Sequence, residues 1–407
     1  MNSDALATAC DGRVEDTPSA AQIGHAIWAT RFQFAALGIF SGAWGVHIPS
    51  VKARFALDEM TLSLVLMSVA VGAVLSLLFA GRLIGAWGPR RVSALAAVLM
   101  GCLLGLVLYW SSLPWLLLAM VVFGASMSLY DVSINTEGSA LESLGQRAIM
   151  GNLHGMFSCG GMLGALFTGV LIRFEVPAAW QLAGLGLGLA GLSVLAARWM
   201  LVTHTELGSE GPKAHFAWPS GTLLLIGLLA FAGMSAEGVM YDWCVLYLKQ
   251  VVKLPQDQAA IGYAAFSAAM AITRFSSDAL RSRYRERSLL RIGGGTSAMA
   301  MLAVLLSASP WVSMVGFALV GAGLAMVVPI LFNAATRVPG TTRAAAIASV
   351  SSIGYSGFLV GPPLVGSIAQ GVSLSAALGL VVLASGLLAW GASFVPEQAP
   401  IAGTTHK

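Results

Sequence analysis

Charge is what this sequence has least of. Asp, Glu, Lys and Arg make up 10% of its 407 residues, against about 25% in soluble globular chains. That leaves too little polar surface to cover the soluble domains this length would allow. Catalytic signatures are missing as well. There is no Gly-x-x-x-x-Gly-Lys-Ser/Thr loop, which disfavours an ATP-driven pump. The four cysteines, Cys10, Cys102, Cys159 and Cys244, form no Cys-x-x-Cys pair, and no His-Glu-x-x-His occurs, so neither a zinc site nor a disulfide framework is indicated. Ser126, in the stretch GASMS, lies in an apolar run with no suitable base and is not a nucleophile elbow. No enzyme activity, metal or cofactor is expected. The first 22 residues are polar and acidic without a basic leader region, and read as a tail rather than a signal peptide.

What is abundant is apolar sequence: 57% hydrophobic residues and a mean hydropathy of +0.81. A run of about 20 apolar residues spans a bilayer as a helix. Such runs fall at 26–50, 61–85, 92–112, 114–140, 149–174 and 178–202. After a polar break they resume at 221–249, 257–280, 288–308, 310–336, 344–370 and 374–395. Only helices or closed barrels satisfy their backbone groups in lipid, and these runs are too long for barrel strands. The expectation is an all-α integral membrane protein of about twelve spans in two related six-helix bundles. The bundles cover 26–202 and 221–395, joined by a linker at 203–220, with cytoplasmic tails at 1–25 and 396–407.

The net charge of +4 reports orientation rather than a nucleic-acid partner. With the N-terminus inside, only Lys52, Arg54, Arg173, Lys249 and Lys253 fall outside, leaving 17 of the 22 basic residues on or near the inner side. An even number of spans returns the C-terminus to that side. The cluster RSRYRER (281–287) also suits contact with anionic headgroups.

The two halves repeat. GRLIGAWGPRR (81–91) follows span 2, and RFSSDALRSRYR (274–285) follows span 8. Asn135 near the end of span 4 is matched by Asn333 in span 10, and GMFSCGGMLG in span 5 by GYSGFLVGPP in span 11. Repetition on this scale marks transporters built from two related bundles. Gly81, Leu83, Gly88, Arg90 and Arg91 resemble the loop signature of the major facilitator superfamily, with Gly85 where the signature has Asp; the second copy keeps an acid, Asp278. With DVSINTEG, RAIMGNLHGMFSCGGMLGA, EGVMYDWCVLYL and GYSGFLVGPPLVGSIA, the chain from about residue 26 to 395 resembles the fucose-permease-like branch, and within it the YbjJ- and MosC-type bacterial inner-membrane proteins. The resemblance implies a monomer of twelve helices in the bacterial cytoplasmic membrane that transports by alternating access. It also places Asp131 where that branch has an acid in a Glu-x-x-x-Asn segment; the branch's acid in span 1 has no counterpart in SGAWGVHIP.

An ionisable side chain at mid-membrane costs about 2.5–3.5 kcal/mol on insertion scales, so each needs a reason. Asp131, Asn135, Gly138 and Glu142 share one face of span 4, while Glu137 points elsewhere. His154 in span 5 is expected level with Asn135, and Arg31 in span 1 to reach the same depth. Asp131, Asn135, His154 and Arg31 are expected to line a wet cavity in the inner half. The competing expectation pairs Asp131 with Arg31 or His154 as a lock between helices. In span 7, Glu237 and Asp242 stand about 140° apart and meet one cavity only if the helix loosens near Gly233 or Gly238. Trp243 beside them is either a stacking platform for a ligand or part of an interfacial belt. Arg90, Arg91, Glu137, Glu142, Arg147, Arg274 and Asp278 are expected in gating or loop contacts, with Arg274 and Asp278 as an i, i+4 ion pair.

The functional expectation is secondary transport of a small polar solute, such as a sugar or sugar derivative, by proton symport through Asp131 and Glu237. Two alternatives stand beside it. One is proton-antiport efflux of an amphipathic compound, disfavoured by the absence of an antiporter-type Gly-Pro pattern in span 5. The other is a non-transporting membrane sensor or scaffold of the same fold. Expected partners are the solute, protons and the lipid bilayer.

Overall fold

The structure, a computed structural model, describes residues 18–201 and 221–397. The expected linker and the outermost parts of both tails lie outside the described residues. Among the described residues thirteen α-helices follow one another: α1 (Ala20–Arg54), α2 (Glu59–Leu106), α3 (Leu113–Gly145), α4 (Met150–Arg173), α5 (Ala178–Ala197), α6 (Thr222–Gln250), α7 (Gln256–Phe275), α8 (Ser277–Arg283), α9 (Glu286–Ser307), α10 (Pro310–Leu324), α11 (Val327–Ala335), α12 (Arg343–Gly371) and α13 (Leu374–Gly391). Among the described residues, ten helical stretches are long and apolar enough to cross a membrane. One of them, α2, is long enough to cross twice, and the less apolar α7 completes a set of twelve passes.

Local sequence explains where the elements depart from the apolar runs. α1 starts at Ala20, ahead of residue 26, because Ser19 and Gln22 cap it reciprocally: the Gln22 amide donates to Ser19 Oγ and the Ser19 amide to Gln22 Oε1. Part of the expected tail is therefore helix. Asp58 caps α2 by accepting the Thr61 amide at 2.7 Å, a bond that holds its carboxyl below the usual carboxylate range. The 48 residues of α2 would reach about 72 Å as a straight rod, more than twice the roughly 30 Å hydrocarbon core. The chain folds back at Gly88, where φ is 77° and ψ 153°, a conformation that disfavours any Cβ. Pro89 then opens the second arm, where its missing N–H costs nothing. The two ends of α2 are accordingly neighbours, and Arg54 Nε donates to the Leu108 carbonyl.

The helix pairings repeat between the halves. The α1–α4 contact in the first half corresponds to α6–α12 in the second, the first arm of α2 with α3 to α7–α10, and its second arm with α5 to α9–α13. The backbones approach closely at glycines. A Cβ on Gly38 would run into the Phe157 carbonyl of α4, and one on Gly357 into the Phe231 carbonyl of α6. Small residues at such points let spans pack where lipid supplies no hydrophobic drive. The halves meet along α4–α7 and α2–α12. Trp311 and Leu78, 81% and 77% exposed, belong to an apolar outer belt suited to acyl chains. Below, the end of the bundle that holds the start of α1 and the end of α13 is the termini end, and the opposite is the far end.

Candidate functional site

A buried charge pair lies where the halves meet. Arg274 of α7 holds Glu237 of α6 at 3.1 Å and donates to Ser158 Oγ of α4 at 2.8 Å, which ties the second half to the first. Tyr241, one turn along α6 from Glu237, places its hydroxyl beside both charges and donates to Met270 Sδ at 3.4 Å. Its ring is boxed by Phe157, Tyr263 and Phe266, with centroids 6.3, 5.7 and 5.3 Å away. The expected Arg274–Asp278 pair does not form. α7 ends at Phe275, so the i, i+4 geometry is lost at Ser276, and Asp278 is exposed on α8. The guanidinium instead reaches a buried carboxylate, which offsets its desolvation better than an exposed one would.

Asp131 keeps a different arrangement. Its carboxylate accepts Asn135 Nδ2 at 3.0 Å, and the same nitrogen donates to the Asp131 carbonyl at 2.9 Å. Neither Arg31 nor His154 pairs with it. Arg31 Nε donates to Asn152 Oδ1 at 3.0 Å, with its guanidinium 4.8 Å from the Trp28 ring centre. The His154 ring packs edge-on against Phe34 at 5.4 Å and lies close enough to Arg274 to feel its charge. Tyr355 of α12 is within electrostatic reach of Asp131 in the first half and of Glu237 in its own half. The structure thus gathers His154, Ser158, Glu237, Tyr241 and Arg274, pairs Asp131 with Asn135 apart from them, and leaves Arg31 out.

α6 runs unbroken from Thr222 to Gln250, so the loosening expected near Gly233 and Gly238 is absent. Those glycines instead receive Val327 and Phe358. Asp242 therefore faces a different neighbour from Glu237, as their angular separation requires. It lines a cleft against α12 with Ser235, Gly238, Trp243, Gly357 and Phe358. Trp243 is fully buried and belongs to no interfacial belt. Its Nε1 and Ser235 Oγ have no hydrogen-bond partner among the described residues.

The loop candidates divide. Glu137 is fully buried and accepts the Leu201 amide at 2.7 Å, which ties α3 to the end of the first half. Glu142 accepts the Ile149 and Met150 amides at 2.8 and 3.1 Å and so caps α4. Arg90 and Arg91 follow the Gly88 turn, and Arg147 is exposed in the α3–α4 loop. At the far end a chain of hydrogen bonds joins the halves. Lys249 Nζ donates to Gln256 Oε1 at 2.9 Å, and Gln256 Nε2 donates to the Val46 carbonyl at 2.8 Å and to Ser50 Oγ at 2.9 Å. His47 continues the chain to Ser50 and Gln181, both at 3.1 Å. Sequence reading gave Gln256 no role, nor Gln33, Tyr130 and Ser193, which bond one another inside the first half. Uncharged polar residues in apolar runs were the available signal.

The sequence and structure also match known proteins. The model of the Major Facilitator Superfamily matches residues 32–362. An MFS-type transporter of Yersinia pestis is 34% identical over 87% of this chain and 92% of its own. Membrane protein MosC of Rhizobium meliloti is 33% identical over 89% of this chain and 88% of its own. Among solved structures, a bacterial homologue of the human lysosomal transporter Spinster, inward-facing and unoccupied, superposes with a TM-score of 0.70 at 15% identity over 93% of this chain and 97% of its own. The nucleoside transporter NupG does so with 0.70 at 14%, over 92% and 98%. The chain belongs to the Major Facilitator Superfamily and is a multi-pass membrane protein, a secondary transporter rather than an enzyme.

Proposed function

We infer that this transporter moves a small polar solute together with protons, rocking its halves about the junction of Glu237, Arg274 and Ser158. The carrying observation is the contrast between two acids. Glu237 has a guanidinium partner, whereas Asp131 has only the neutral amide of Asn135 and remains partly accessible. An acid without a cation in a low-dielectric surrounding releases and takes up a proton as its hydration changes, which is what coupling requires. The far-end chain through Gln256 supports access from the termini end in this conformation. The positive-inside bias supports cytoplasmic termini in the bacterial inner membrane, and the MosC relative supports the fucose-permease-like branch.

The test uses proteoliposomes with an imposed proton gradient and a solute chosen by thermal-shift screening. Asp131→Asn is expected to abolish gradient-driven accumulation while sparing solute exchange. Accumulation at the parent rate by that variant would refute the coupling role.

A further inference from the structure

Two packed helices of the first half carry matching exposed faces. On the second arm of α2, Arg91, Leu95 and Leu99 are exposed at i, i+4 and i+8, on one side of the helix. At the end of α5, Leu192, Leu195 and Arg198 are exposed at steps of three, with Trp199 beside them. The helices contact each other, Ser93 Oγ donates to Met200 Sδ at 3.6 Å, and Ala94 packs on Ala197 and Met200. That register sets the arginines of both helices at the termini end and their leucines toward mid-membrane. The arginines are uncompensated. Among the described residues, the side chains of Arg90, Arg91 and Arg198 have no hydrogen-bond or ion-pair partner, and residues 81–91 include no acid. The acids at this end of the first half, Glu137 and Glu142, are occupied by backbone amides. Trp199 is joined by exposed Trp28, whose neighbour Ala29 packs on Ala197 and Met200. Indoles favour the level of lipid headgroups.

We propose that Arg90, Arg91 and Arg198 form a seat for the phosphate of an anionic phospholipid, whose acyl chains lie along the leucine faces of α2 and α5. Guanidinium forks match phosphate oxygens in pairs, and basic pockets between spans take anionic headgroups. A dissolved anion would use the arginines and leave the exposed leucines to other molecules. The same holds for the chain's own acids outside the described residues, such as Glu15, Asp16, Glu206 and Glu210. A phospholipid meets the charge and the apolar face together.

The test places the full-length protein in phosphatidylcholine nanodiscs containing a minor share of phosphatidylglycerol, and counts the lipids it retains by native mass spectrometry. Phosphatidylglycerol is expected to be retained at least fivefold above its share of the bilayer. The triple variant Arg90→Gln, Arg91→Gln, Arg198→Gln is expected to bring retention back to that share. A charge-matched control, Arg147→Gln, Arg283→Gln, Arg343→Gln, removes three exposed arginines from the same end of the molecule and is expected to keep most of the enrichment. If the first triple does not fold, the exposed pair Arg91→Gln, Arg198→Gln is read instead and should at least halve the enrichment. No enrichment in the parent, equal loss in both triples, or displacement of the lipid by millimolar inorganic phosphate would each overturn the proposal. Enrichment that emerges only when Glu15, Asp16, Glu206 and Glu210 are neutralised would overturn it as well, by giving the arginines to the chain's own acids.

Discussion

Polar contacts inside each half differ in kind from those between the halves. Within the first half, Tyr130 bonds Gln33 and Ser193, and Gln33 Nε2 also reaches the Ser193 carbonyl at 3.0 Å, all fully buried. Within the second, Glu237 and Arg274 form an ion pair between α6 and α7, and Glu286 is held by Arg337 and Asn333. Between the halves the described buried contacts are bonds to neutral groups. Arg274 meets Ser158, Gln256 meets Val46 and Ser50, and the one crossing ion pair among the described residues, Arg173–Asp257 at 3.6 Å, has its arginine largely exposed. Interhelical hydrogen bonds in membranes average about 0.6 kcal/mol. Opening the networks sealed inside each half would break several such bonds at once. On the proposed rocking motion, the difference lets the halves share a long interface and still part.

Four substitutions test this contrast. Glu237→Gln leaves the buried Arg274 without its anion, and breaking such a pair costs about 3–5 kcal/mol. Thermal unfolding in detergent should show that loss, and a Glu237→Gln, Arg274→Gln double variant should recover much of it. Gly160→Leu drives a side chain into the Ala35 carbonyl, and overpacking of this kind costs about 3 kcal/mol. Its signature is lower yield and an aggregated fraction on size exclusion. Gln33→Leu removes a bond each from Tyr130 and Ser193 and should cost about 1–2 kcal/mol. Smallest in stability is Gln256→Ala, which loses two crossing bonds of about 0.6 kcal/mol each, with a melting temperature near the parent. Its expected effect is on access: the far end should label faster with a membrane-impermeant thiol reagent. If Gln256→Ala proved as costly as Gln33→Leu, the contrast between inner and crossing contacts would collapse.

The fold was legible because apolar length and the charge asymmetry of the loops depend on composition alone. Breaks that depend on one residue's backbone were not. Gly88 was visible as part of a loop pattern, yet nothing marked it as a single-residue reversal between two arms of one helix. The acids of the site were found by their cost in lipid, and their partners were not. Helical spacing tied Arg274 to Asp278, whereas a chain break at Ser276 and a buried carboxylate 37 residues earlier decided the pairing. Long-range partners such as Ser158 for Arg274 or Asn152 for Arg31 follow from helix packing, which a local period does not encode.

The central claim is that the halves move as rigid bodies, closing one end as the other opens. Spin labels on Ser111→Cys and Ser307→Cys at the far end, and on Ser143→Cys and Thr341→Cys at the termini end, test it directly, with the four native cysteines replaced by serine. Pulsed electron–electron resonance in nanodiscs across a pH series should give two distances per pair, the far-end distance lengthening as the termini-end distance shortens. One fixed distance for each pair, unmoved by pH and by Gln256→Ala, would contradict the account.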